Sequence, residues 1–312
     1  MSLLDRLFFP TVPALRLATL RVLVGLYGLL YLLIRLPHFL SYADADPAAF
    51  APVGLATVLD APLSADTHRL LVALLVATSL AFLVGLRHRF LAPLHALLLL
   101  WVLGYASSFG FVFHNENHFA LSVLVLAFAP AADTLSLDAR GRARPADDPR
   151  YGWAPRLLVA LAGVVYFLAG VAKLKGAGVD FMLGEVLRNH IAYDNVRKIE
   201  LGGLYSPLGA FLVAYTAPFV VLGAGSVALE LLAPLAFFWA RFGRWWALGM
   251  WAFHVGVLLI MAIAFVFPLV FVPFAPLFAV ETLWERRPFR ALGRRLGALG
   301  PEPHENAEPS RA

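Results

Sequence analysis

Cysteine is absent from the 312 residues, which removes structural disulfides, thiolate metal sites and thiol nucleophiles at once. Charge is scarce too. Asp, Glu, Lys and Arg make 14% of the chain, against about a quarter in an ordinary soluble domain. What stands in their place is apolar, 61% of all residues. One soluble core of this length cannot bury so much, whereas lipid can solvate it. The net charge of +5 comes from arginines set in short clusters between apolar runs, a pattern of membrane topology rather than of nucleic-acid binding.

A helix rising 1.5 Å per residue needs about 20 apolar residues to cross the hydrocarbon. Runs of that kind lie near 14–36, 69–86, 90–110, 113–132, 155–175, 207–240, 245–266 and 268–284. The sixth is too long for one crossing, so an interfacial lead-in near Ser206–Pro218 precedes a span from about Phe219 to Ala240. Basic residues fall at every second connection: Arg6; Arg87 and Arg89; Arg140, Arg142, Arg144 and Arg150; Arg241 and Arg244; Arg286, Arg287 and Arg290. The pattern predicts an all-α, polytopic bundle of about eight helices in the cell (plasma or inner) membrane, with both termini cytoplasmic. The first run contains Arg16, Arg21 and Arg35 and reads as a retained signal anchor, not a cleavable signal. The spans occupy 1–285, and 286–312 is a tail, basic and then Pro- and Glu-rich. The outer side receives loop 37–68, the HNENH stretch, the Phe267–Pro268 turn and 176–206, which carries Tyr193 and Arg197 and reads as an amphipathic lid.

Ionisable groups inside spans are costly and face a cavity or a partner. For the fourth run to cross, its helix must take in Phe113–His118, which puts His114, Asn115, Glu116, Asn117 and His118 in the outer membrane zone. His114 and His118 are four apart, a metal-chelating spacing, but Asn115 stands where the zinc-protease signature needs Glu, and no metal is expected. In YFLAGVAKLK, Lys173 shares a helical stripe with Gly163, Tyr166 and Gly170 and points inward. Lys175 shares one with Val164, Leu168 and Val171 and snorkels from the lipid face. Glu230 and His254 reach similar depth, about 14 Å, on adjacent antiparallel spans, so Glu230 is expected to pair with His254 or with Arg21. Arg16 is placed to snorkel, and His95 is a core histidine with no evident partner.

The segments FHNENHFALSVLVLAFAPAADTLSLDAR, YFLAGVAKL and FHVGVLLIMAIAFVFPLVF resemble, in order and spacing, the HTTM superfamily, the membrane domain shared by vitamin K-dependent γ-carboxylase and many bacterial proteins. The resemblance covers about residues 10–285, and its best motifs are Asn117-His118, Ser136-Leu137-Asp138, Tyr166 with Ala169-Gly170, and Lys173-Leu174. In that carboxylase a membrane lysine deprotonates vitamin K hydroquinone, the quinolate reacts with O2, and the resulting base opens glutamate to CO2. The resemblance implies that Lys173 is that lysine, with Asn117 and His118 beside the reacting centre and Tyr166, Gly170 and His254 around a reduced quinone. A phenol-like hydroxyl, pKa about 10, yields its proton efficiently only to a positioned neutral amine, in a pocket that keeps water away.

Two departures stand against the carboxylase pattern. The large lumenal domain that binds its protein substrate is missing after the membrane domain, and Gly178-Val179 replace the tryptophan usual after the Lys-Leu pair. The competing readings are therefore a quinol-linked oxygenase or carboxylase-like lyase, a non-catalytic membrane partner for maturation or export of a secreted peptide, and a transporter using Glu230 and His254 as a proton relay. The last lacks the internal repeats that transporters show.

Overall fold

The computed structural model describes residues 2–110 and 115–295. They are helical, and the single β-type contact is an isolated bridge from Val12 to Asp148. Eight helices organise the molecule: α1 (Ala14–Ile34), α2 (Ala65–Val84), α3 (His88–Ser107), α4 (Asn117–Phe128), α5 (Trp153–Ala177), α6 (Glu185–Glu200), α7 (Ala217–Leu231) and α8 (Ala240–Met261). Of these, α1, α2, α3, α5 and α8 are long and apolar enough to cross a membrane, while α4 and α7 are shorter apolar helices.

The bundle has two halves. In the first, α1 packs on α2 and α4, and α3 packs on α2 and α4. Leu17, Leu75, Leu99, Val102 and Leu126 fill the space between them and are inaccessible to solvent. In the second, α5 packs on α7, and α8 closes the group around Tyr166, Trp246, Met250 and Phe274. The contact between α4 and α5 joins the halves.

The turn between α2 and α3 is held by the Ser136-Leu137-Asp138 segment. Gly85 adopts φ +64°, and any side chain there would meet Ser136 Cβ at 2.5 Å and an Arg21 nitrogen at 2.6 Å. Segment 136–138 clamps this turn: Leu137 N–H donates to Val84 O, and the Asp138 carboxylate accepts the Arg87 and His88 N–H groups, both at 2.8 Å. A carboxylate at those orphan amides caps α3 and opposes its positive end. Arg140, Arg142 and Arg144 line one surface cavity with Arg294 and Arg295 of the C-terminal helix.

Several spans depart from the sequence-based expectation. The run at 268–284 is no continuous helix: Val266–Leu269 makes one turn, then Val272–Leu277 and Val280–Glu285 are 3-10 segments. Pro268, Pro273 and Pro276 interrupt any α-helical ladder there. The sixth run does begin with a short lead-in helix, Pro207–Leu212, but its span α7 ends at Leu231, before Pro234, and not at Ala240. The fourth helix starts at Asn117 and lasts 12 residues, with residues 115 and 116 in a turn before it. His114, and with it the His114–His118 spacing, lies outside the described residues. Arg16 does not snorkel but pairs with Glu281 at 2.6 Å. His95 has a partner after all, the Thr78 hydroxyl at 3.2 Å from Nδ1. In the tail, Arg287–Arg295 forms a helix.

Candidate functional site

Near its C-terminal end α5 turns a stripe of small and polar residues toward α7 and α8. Val164, Leu168 and Val171 occupy the opposite, exposed face, and Lys175 is exposed as well. Gly170 is the close-approach point: a Cβ there would sit 3.0 Å from Glu230 Cβ and 3.2 Å from Leu231 Cδ2. That proximity brings Glu230 under the lysine one turn on. The Lys173 ammonium donates to Glu230 Oε1, with the lysine side chain 25% exposed and the glutamate 3%. Glu230 therefore pairs with Lys173, which lies 57 positions away, and neither with His254 nor with Arg21. Glu230 Oε2 is buried and has no hydrogen-bond partner among the described residues.

Two turns below the lysine, the Tyr166 hydroxyl and His254 Nε2 share a hydrogen bond of 2.9 Å. The Tyr166 ring is held by Trp246 and Phe274, with centroids at 5.6 and 6.0 Å. His118 is buried against the same tyrosine, edge-on at 6.5 Å, and against Phe267 at 5.6 Å. His118, Tyr166, Gly170, Lys173 and His254 thus converge, and Glu230 joins them as the anion that sequence reasoning had assigned elsewhere. Asn117 does not converge. Successive helical residues diverge by about 100°, so while His118 turns into the bundle, Asn117 is exposed and lines a separate cavity of about 440 Å³ with His38, Val53 and Leu55.

The lysine opens on a cavity of about 490 Å³ between α5, α6, α7 and α8, walled by Phe181, Leu187, Ile191, Leu222, Phe253 and Ile260. Its Nζ lies 5.7 Å from the ring centroids of Phe181 and Phe253, so the cation is edged by aromatic faces. Helix α6 covers this cavity as a lid, contributing Leu187, His190 and Ile191. It is tied down at its far end. Lys198 donates to Met261 O at 2.5 Å and Ser206 Oγ to Leu259 O at 2.6 Å, which also satisfies terminal carbonyls of α8. Within the lid, burial pushes the Asp194 carboxyl up, but hydrogen bonds and charge from Arg197 and Lys198 outweigh it and hold it below its ordinary 3.8.

Apolar helices of spanning length around a lidded cavity define an integral, multi-pass membrane protein. Its family model is the HTTM domain, matched over residues 9–284, and the chain belongs to that family. No curated protein and no solved structure matches the chain.

Proposed function

We propose that the cavity under the lid binds a reduced quinone and that Lys173 with Glu230 accepts the proton of its hydroxyl, the opening step of a γ-carboxylase-like, O2-dependent reaction. The observation that carries this reading is one ion-paired amine opening on a mostly apolar cavity, whose other polar lining residues are His190 and Ser226. Ligand cavities of about 300–1,000 Å³ with few polar groups suit an apolar ring bearing one directed hydroxyl. An ammonium is no base, so Nζ first passes a proton to Glu230, and the neutral amine then takes the quinol proton. Glu230 is suited to that loan because its carboxylate is enclosed and its second oxygen has no competing donor. Tyr166 and His254, hydrogen-bonded to each other and backed by His118, pack in the bundle below the lysine and do not line the cavity. Gly170 acts through Glu230 by letting it approach. Asn117 takes no part in the proton step, since it faces the other cavity.

Purified protein is expected to yield a quinone on organic extraction, detected by mass spectrometry. Lys173→Ala is expected to lose turnover of a reduced naphthoquinone by at least about a hundredfold, the lower range for a general base, while keeping its helical content. Undiminished turnover in that variant sinks the base assignment. A second reading, a non-catalytic partner for a secreted peptide, is favoured by the separate Asn117 cavity on the HNENH side. Co-purification of a small peptide with no quinone would replace the first reading by it.

A further inference from the structure

A separate groove runs between α1 and segment 264–272, with a volume of about 590 Å³. Its walls are apolar and open sideways: Leu26, Leu30 and Ile34 on one side, Val266 and Val270 on the other, all at least 46% exposed. From Leu23 to Ile34 the α1 wall extends about 16 Å along the helix axis. One end of the groove is polar, where Arg35, Asn115 and Glu116 line it.

Arg35 is the C-cap of α1, whose 21 residues span about 31 Å, the thickness of a hydrocarbon core. Its guanidinium therefore stands at headgroup level. Among the described residues it makes no ion pair, and its Nε is buried without a hydrogen-bond partner. Its guanidinium stacks over Tyr31 at 5.8 Å. The same Tyr31 donates its hydroxyl to Glu116 at 2.9 Å. An unpaired cation and a carboxylate thus flank one tyrosine at the mouth of a groove whose flanks face lipid. The nearby His38 senses both: burial lowers its pKa, Arg35 lowers it further and Glu116 opposes them.

We infer that this groove is a binding site for a phospholipid with an ammonium headgroup, its phosphate on Arg35, its ammonium on Glu116 and an acyl chain along Leu26, Leu30 and Ile34. Phosphate suits the planar guanidinium fork, and an acidic partner beside it favours a zwitterionic over an anionic headgroup. The lateral opening selects a lipid over a free amino-phosphate, because apolar wall so placed already lies among acyl chains.

The full chain is reconstituted in nanodiscs holding phosphatidylethanolamine and phosphatidylglycerol in equal amounts, and native mass spectrometry counts the lipid kept after transfer to detergent. The parent is expected to keep one phosphatidylethanolamine in preference. Arg35→Gln is expected to reduce its retention about tenfold, and Glu116→Gln to abolish the preference over phosphatidylglycerol. Leu30→Trp, at a half-exposed position that tolerates bulk, fills the groove and is expected to release the lipid with both charges intact. Soluble phosphoethanolamine is expected not to displace it. The inference is overturned if the parent keeps no lipid or keeps both equally, if Arg35→Gln and Leu30→Trp retain it like the parent, or if the soluble headgroup displaces it.

Discussion

The two halves of the bundle hold their buried charges by opposite means. In the first half Arg21, fully inaccessible, donates from its two terminal nitrogens to Ala131 O at 2.7 Å and Leu135 O at 2.5 Å. Those carbonyls lie just before segment 136–138, which clamps the α2–α3 turn, so the guanidinium works as a structural bolt. In the second half Lys173 meets a carboxylate and opens on a cavity. A charge spent on backbone carbonyls cannot move a proton, since a carbonyl does not exchange one at working pH. A charge paired with a carboxylate can. The difference separates architecture from chemistry within one fold.

The comparison breaks most visibly at Arg21. Arg21→Met leaves two buried carbonyls unbonded, at about 1–3 kcal/mol each, and is expected to lower the thermal midpoint more than any single change in the second half. If its melting curve in detergent overlays that of Lys173→Met, the distinction between bolt and proton site is wrong. Next comes Gly170→Leu, which drives side-chain atoms into Glu230 and Leu231 and is expected to cost about 1–3 kcal/mol. That loss should come with quinone retention reduced, where Gly176→Leu, with open space around its Cβ, changes neither.

The pair itself sharpens the contrast through a double-mutant cycle. Lys173→Met strands an enclosed carboxylate, whereas Lys173→Met with Glu230→Gln leaves no charge, so the double variant is expected to be the more stable by about 1 kcal/mol. The figure is kept small because the lysine is a quarter exposed and partly screened. Equal stability of the two would mean that the stranded carboxylate carries no penalty, and Glu230→Gln alone completes the cycle that measures the coupling. The smallest effect concerns the lid. The folded Asp194 lies below its ordinary 3.8, so its contribution is complete at neutral pH and is lost only as pH falls through the depressed value. Hydrogen-exchange protection in α6, corrected for the intrinsic pH dependence of amide exchange, is expected to stay constant from neutrality down to about pH 3.8 and to fall below it. A loss of protection near neutrality would assign lid anchoring to some other group.

Much of the architecture was legible in the residues because lipid leaves few alternatives. A run such as 14–34 has to be helical to satisfy its own backbone, and the lipid face of α5, with Val164, Leu168 and Val171, follows from helical period alone. Lys173 could be told from Lys175 on the same ground. Other features were hidden in plain view. Pro268, Pro273 and Pro276 argue against an α-helical eighth span, yet the apolar character of the run concealed them. Glu230 was singled out, but its partner was sought at equal depth on a neighbouring span, whereas a lysine side chain reaches several ångströms down its own helix.

Helical period, hydrophobic length and the placing of basic clusters are local properties, and from them the sequence by itself determined a multi-pass helical membrane protein with a lysine turned inward on a small-residue stripe. Tertiary packing alone decided that Lys173 meets Glu230, that Asn117 and His118 part company, that Asp138 caps α3, and that Arg35, among the described residues, is left without an ion pair at the head of a groove. Each of these joins residues far apart along the chain or depends on which side of a helix a neighbour occupies, and no local periodicity encodes that.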